Sequence, residues 1–135
     1  MHKIFNPILA VLIGGLVAVA QRPTPAESMP VEVWCGDDDG LTSRLRDALE
    51  LEFAGSQKFT LSSGKKPGTL LVTIPTNFDW KVVAKRTKVL YRVQFEFAND
   101  NASVVSRKGS CWEDQLSRCA ADIVHGAENV TQNRK

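Results

Sequence analysis

The alternation of apolar and polar positions divides the chain into short segments. Ile8 to Ala20 is an unbroken apolar run, with Lys3 ahead of it and the small Ala18 and Ala20 at its end. This is the pattern of a cleavable export signal over residues 1–20. Its thirteen residues would make a helix of about 20 Å, short of a hydrocarbon core of about 30 Å. No cysteine closes the run, so no lipid anchor and no stable membrane insertion are expected after cleavage. Residues 21–30 (QRPTPAESMP) hold three prolines and read as a flexible lead-in.

A single domain over residues 31–128 follows. Val31, Val33 and Cys35 alternate with Glu32 and Trp34 as a first strand. After Asp37-Asp38-Asp39-Gly40, Leu41, Leu45, Ala48, Leu49 and Phe53 recur at helical spacing. The aspartates suit that helix's N-terminus, and Gly55 suits its C-cap. Lys58–Ser62 alternates weakly, Ser63–Gly68 is a loop, and Thr69–Ile74 is a β-branched strand. Residues 75–86 read as a long connection carrying Phe78 and Trp80. Thr87–Phe97 is the clearest strand: Val89, Tyr91, Val93, Phe95 and Phe97 point one way, Lys88, Arg92, Gln94 and Glu96 the other. Asn99-Asp100-Asn101 turns it into a hairpin with Ala102–Arg107. Trp112, Leu116, Cys119, Ala120, Ile123 and Val124 form the apolar face of a second helix that Gly126 ends, before a polar tail over 129–135. The order β-α-β-β-β-β-α predicts an α+β fold, with about five mostly antiparallel strands and both helices on one face.

At 43% hydrophobic and 24% charged, the 135 residues have the composition of one ordinary globular domain. The formal net charge of +2 is too small to point to nucleic acid, and the aromatics fall mostly at core positions, so no nucleic-acid partner is expected. The charge is unevenly spread. Residues 21–57 carry three cations against eight acids, and residues 58–110 carry ten cations against three acids. The basic stretch includes Lys65, Lys66, Lys81, Lys85, Arg86, Lys88, Arg92, Arg107 and Lys108. It reads as a patch for an anionic partner or, as the charge balance alone favours, as solvated surface offset by the acidic first helix.

The residue types that carry catalysis are sparse. His125 is the only histidine after the signal, it stands near a helix end, and no nucleophile-elbow motif is present. Three scattered cysteines and one histidine lack zinc-site spacing. Placing Gly40 at the sixth position of a calcium loop puts Cys35 first and Arg46 twelfth, where carboxylates are required. Ser63-Gly64-Lys65-Lys66 has neither the preceding glycine nor the following helix of a phosphate loop. Asn101 and Asn129 fit the glycosylation pattern, which matters only in a eukaryotic secretory route. No catalytic residue, cofactor or metal is therefore expected. Export would place Cys35, Cys111 and Cys119 in an oxidising compartment, where three thiols permit three different single bridges.

The early cysteine followed by aspartates, the Val72-Thr73-Ile74-Pro75-Thr76 segment, Val89-Leu90-Tyr91-Arg92-Val93, Gly109-Ser110-Cys111 and Arg118-Cys119-Ala120-Ala121-Asp122 together carry a resemblance. The chain resembles a group of small exported proteins of Gram-negative bacteria with no assigned function. Its element order is similar to the small domains of periplasmic assembly proteins, such as the N-terminal domain of the Tol-system propeller protein. The resemblance implies a periplasmic or secreted location and binding to another envelope protein. It also implies a Cys111–Cys119 bridge, against one local signal. Ser110 with Glu113 forms a capping box that would make both cysteines helical and about 12 Å apart. A cap at Asp114 instead leaves Cys111 free to fold back. Cys35 is then a buried free thiol or an intermolecular link.

Two functions follow as expectations. One is a non-enzymatic exported module that binds an envelope protein or an anionic surface, with Lys65, Lys66, Lys81, Lys85, Arg86 and Lys88 as contacts. The other is an inhibitor of a secreted hydrolase such as a lysozyme or protease, with Phe78 and Trp80 on a plugging loop.

Overall fold

The computed structural model describes residues 28–98 and 104–133. The export signal over 1–20, the lead-in to residue 27, the turn at 99–101 with its sequon and the last two residues lie outside the described residues. Strands β1 (Met29–Cys35), β2 (Phe59–Leu61), β3 (Leu70–Ile74), β4 (Asp79–Val83), β5 (Arg86–Phe97) and β6 (Val105–Trp112) form one sheet. Helix α1 (Gly40–Gly55) follows β1, and a 3-10 turn at Glu113–Gln115 leads into α2 (Leu116–Gln132). The α+β class is as expected, with one more strand: the order is β-α-β-β-β-β-β-α. The sheet is mixed, because β1 pairs in parallel with both β2 and β3, while β3, β4 and β6 all pair antiparallel to β5.

Asp39 starts α1 as its sequence predicts, its carboxylate accepting from the Thr42 N–H at 2.7 Å. Leu45, Leu49 and Phe53 then bury completely against the sheet, with the Phe53 ring edge-on to Phe59 at 5.1 Å. Helix α2 contributes Leu116, Cys119, Ala120, Ile123 and Ala127 to the same core. The strands meet these helices with Val31, Leu70, Val72, Ile74, Val89, Tyr91, Val93 and Phe95, alternate residues that share one face. Each such buried side chain contributes roughly 1.5–3 kcal/mol of transfer free energy.

Four local expectations are corrected. Pro30 and Met29 belong to β1 rather than to a lead-in. Gly55 is the last residue of α1, and Ser56, in extended backbone, serves as its cap. Gly126 lies inside α2 rather than at its end: a Cβ there would stand 2.8 Å from Cδ of Arg107, so glycine lets the strand's arginine cross the helix. Trp112 belongs to β6, and Ser110 lies within that strand, so the capping-box pattern caps nothing.

The largest correction concerns residues 75–86. β3 faces β5 from Leu70 opposite Phe97 to Thr73 opposite Gln94, and β4 faces it from Asp79 opposite Leu90 to Val83 opposite Arg86. The two segments run in one direction along the same edge of β5, with two extra residues between them. They are one long strand broken by a bulge. Phe78 in the bulge turns into the core, and Asn77 Oδ1 accepts from the Asp39 N–H and the Thr42 hydroxyl, which ties the bulge to the start of α1. Ala84 and Lys85, at φ 49° and 65°, make the two-residue turn into β5.

Candidate functional site

The face of the sheet turned away from the helices has two unlike halves. Over β1 and β3 it is closed by the chain itself. β2 ends and β3 begins at the level of Val31, on opposite sides of β1, so residues 62–69 must cross β1's outer face. Glu32, only 9% exposed there, accepts from the N–H groups of Gly64 and Lys65 at 3.2 and 2.9 Å. Successive left-handed residues aim both donors at one carboxylate, as in an anion-binding nest. Lys65 then lays its ammonium 4.1 Å from the Trp34 ring.

Over β4, β5 and β6 the outer face is uncovered among the described residues. Strand alternation fixes which side chains stand on it: Asp79, Lys81 and Val83 from β4, Arg86, Lys88, Leu90 and Arg92 from β5, and Lys108, Ser110 and Trp112 from β6. Lys81 lies directly opposite Lys88, and Arg92 directly opposite Lys108. No carboxylate of the described residues stands within ion-pair distance of these four cations. Arg86 stacks 4.2 Å from the Trp112 ring while its Nη2 bonds Asp114 at 3.0 Å, and Lys88 reaches the same ring at 5.9 Å. At the bulge a cleft of about 330 Å³ opens, lined by Asn77, Asp79, Leu90, Arg92 and Lys108 among others.

This half is braced from beneath. Cys111 on β6 and Cys119 on α2 stand at disulfide distance, with Cα atoms 5.6 Å apart. The geometry is possible because Cys111 precedes the helix. Arg107 points to the helix side, where its Nη2 bonds Asp122 at 2.9 Å, and the Tyr91 hydroxyl donates to the other oxygen of the same carboxylate. Tyr91 lies over Gly109, where any Cβ would collide with its ring. Burial, then the bond to Asp122, pushes the Tyr91 phenol well above its ordinary range. The hydrogen bond from Tyr91, helped by Arg107, holds Asp122 below the usual carboxylate range. Asp39 is likewise lowered, by its bonds from Thr42. Burial raises the half-buried Cys35 thiol, which forms no disulfide and packs on the core.

The residues singled out in the sequence are thus sorted into five places. Lys81, Arg86 and Lys88 gather on the open face, Lys85 occupies the adjacent turn, and Lys65 and Lys66 belong to the crossing loop of the closed half. Phe78 is core, whereas Trp80 is 62% exposed on the helix side of β4. Arg92 and Lys108 complete the open face. The alternation along β5 already set Arg92 beside Lys88, but Lys108 needed the β5–β6 register. The described residues contain no cluster of three metal-ligating side chains, and His125 is exposed beside Asn129. No described helix is long and apolar enough to cross a membrane. Searches of family models, curated proteins and solved structures found no match to this chain.

Proposed function

We propose that this chain is an exported, non-catalytic module that binds an acidic partner protein of the cell envelope on the open face of β4, β5 and β6. The observation that carries this reading is the pair of like-charge contacts, Lys81 opposite Lys88 and Arg92 opposite Lys108. Like charges directly opposite in a sheet cost stability, so solvation of the fold gives no reason to place them together. An arriving set of carboxylates converts that repulsion into attraction and steers the encounter. Arg86 and Lys88 on Trp112 add a cation-and-aromatic surface of the sort enriched at protein interfaces. The bridge-distance cysteines suit an oxidising compartment, which supports export. The segment read as a hydrolase plug is a strand with a tight turn, so the binding reading is the better supported.

Titration with polyglutamate, followed by tryptophan fluorescence, tests this. The Lys81→Ala, Arg92→Ala, Lys108→Ala triple variant is expected to bind about tenfold more weakly, roughly 1.4 kcal/mol. Binding of the native chain should also fall as salt rises. Salt-insensitive binding, an unchanged triple variant, or tighter capture of single-stranded DNA than of polyglutamate overturns the proposal.

A further inference from the structure

We infer that the cleft at the bulge is a binding site for a free α-amino acid with an apolar side chain. The site goes beyond the partner surface and shares only Arg92 and Lys108 with it. Between Thr73 opposite Gln94 and Asp79 opposite Leu90, residues 74–78 of the bulged strand face residues 91–93 of β5. The excess opens the cleft of about 330 Å³, at the lower end of the range for small-molecule sites. Both signs of charge line it. Arg92 and Lys108 stand directly opposite each other on β5 and β6, and Asp79 stands on β4, diagonal to Arg92. Diagonal neighbours in a sheet lie about 7 Å apart. No ion pair of the described residues involves Asp79, Arg92 or Lys108. Opposite charges thus share one cleft without neutralising each other.

That arrangement selects the ligand. A plain anion drawn to Arg92 and Lys108 meets Asp79, and a plain amine drawn to Asp79 meets the two cations. A molecule that carries both charges side by side satisfies all three. An α-amino acid holds its carboxylate and its ammonium on one carbon. With charge-assisted bonds of about 2.8 Å at each end it spans the gap, carboxylate on Arg92 and Lys108 and ammonium on Asp79. Asn77 also lines the cleft, and its Oδ1 already accepts two bonds at the start of α1. Its amide therefore keeps the donors that a carboxylate takes. Leu90 and Phe78, on the same lining, give the ligand's side chain an apolar wall.

The test titrates the full chain with leucine and follows the backbone amide resonances. Leucine should shift those of Asp79, Leu90, Arg92 and Gly109, with a Kd of about 1 mM. Two analogues each remove one charge. 4-Methylpentanoate is leucine without its ammonium, and 3-methylbutylamine is leucine without its carboxylate. Each should bind at least about tenfold more weakly than leucine, because each leaves one charge of the cleft unanswered and meets the other as repulsion. Asp79→Asn should weaken leucine and erase its advantage over 4-methylpentanoate. Arg92→Gln should weaken leucine and erase its advantage over 3-methylbutylamine. These crossed ratios are read within each variant, so a general loss of stability does not imitate them. Leucine binding no tighter than either analogue, shifts confined to residues outside the cleft, or ratios unchanged in both variants overturns the site. Any of these with polyglutamate binding intact leaves the partner surface standing. Leucine binding without polyglutamate binding removes the partner surface and keeps the site.

Discussion

The closed and open halves of the outer face are built from the same ingredients. Each sets a cation on a tryptophan, Lys65 on Trp34 in one and Arg86 on Trp112 in the other. The closed half supplies its own cover, because the loop over β1 finds a nearly buried carboxylate, Glu32, waiting for its N–H groups. The open half has cations facing cations and, among the described residues, no cover. Loop, carboxylate and aromatic together seal one half from within the chain. The other half carries Asp79, but no described carboxylate lies within ion-pair distance of its facing cations, and that is what a partner would bring. The supports differ too: the closed half is pinned from the outside by Glu32, and the open half from beneath by α2.

The heaviest blow to that contrast falls on the support of the open half. Replacing Cys111 and Cys119 by alanine releases a loop with a sequence separation of 8 residues. For so small a loop the chain-entropy estimate is about 2.5 kcal/mol. Urea unfolding should show this loss, and hydrogen exchange should rise first in β6 and the start of α2 while β1 and β3 hold. Uniform loosening of the whole sheet would mean that the halves do not differ in how they are held.

Glu32→Ala attacks the closed half. Two N–H groups lose an ionised acceptor, but the loop around them is exposed and water replaces part of the bond, so the cost is about 1.5 kcal/mol. Trp34 fluorescence and the exchange rates at Gly64 and Lys65 report the loop's release. If the variant exposes this half, polyglutamate should gain no affinity there, since the cations of the loop leave with it. Stability unchanged within error would show that the loop needs no latch.

The sequence disclosed the helices, their buried stripes and the long alternating strand, because each is a local period that tertiary structure only confirms. It hid what depends on partners far away along the chain. Nothing in Val31–Cys35 says that both its neighbours run parallel to it. The β4 strand was hidden by Pro75 and Asn77, which punctuate like a loop, and by Ala84-Lys85, a turn without the usual glycine or asparagine. Ser110 and Glu113 show the converse: a local pattern for a helix start, overruled by eight residues of pairing with β5. The open face was half legible. Alternation placed Lys88 and Arg92 together, but their like-charged partners across the strands required the register.

Tyr91 gives a test with a pH axis. It is the only tyrosine, so tyrosinate absorbance reports this side chain alone. Its pKa is raised in the folded state, so the stability it contributes is fully present below the ordinary phenol value near 10 and is lost as pH rises through the folded value. No tyrosinate signal should appear between pH 10 and 11 unless the chain unfolds. Tyr91→Phe should cost about 1 kcal/mol at pH 7 and flatten the alkaline loss. A phenol that titrates near 10 in the folded protein would dissolve the brace proposed beneath the open half.

The smallest effect is the one that separates stability from binding. Lys108→Glu replaces a like-charge pair with an opposite pair across from Arg92, on a face where no other carboxylate of the described residues is in ion-pair range of either. Surface cross-strand pairs of opposite charge contribute roughly 0.2–1 kcal/mol, so this variant should be more stable than the native chain by about 0.5 kcal/mol at low salt. The gain should shrink as ionic strength rises, because both side chains are exposed to solvent. Polyglutamate binding should weaken in the same variant. A single substitution that raises stability and lowers acidic binding is what a surface kept for a partner predicts, since such surfaces sit below the stability optimum of the fold. If stability falls instead, the lysine serves the native sheet in a way the pairing does not explain, and the open half becomes ordinary solvated surface.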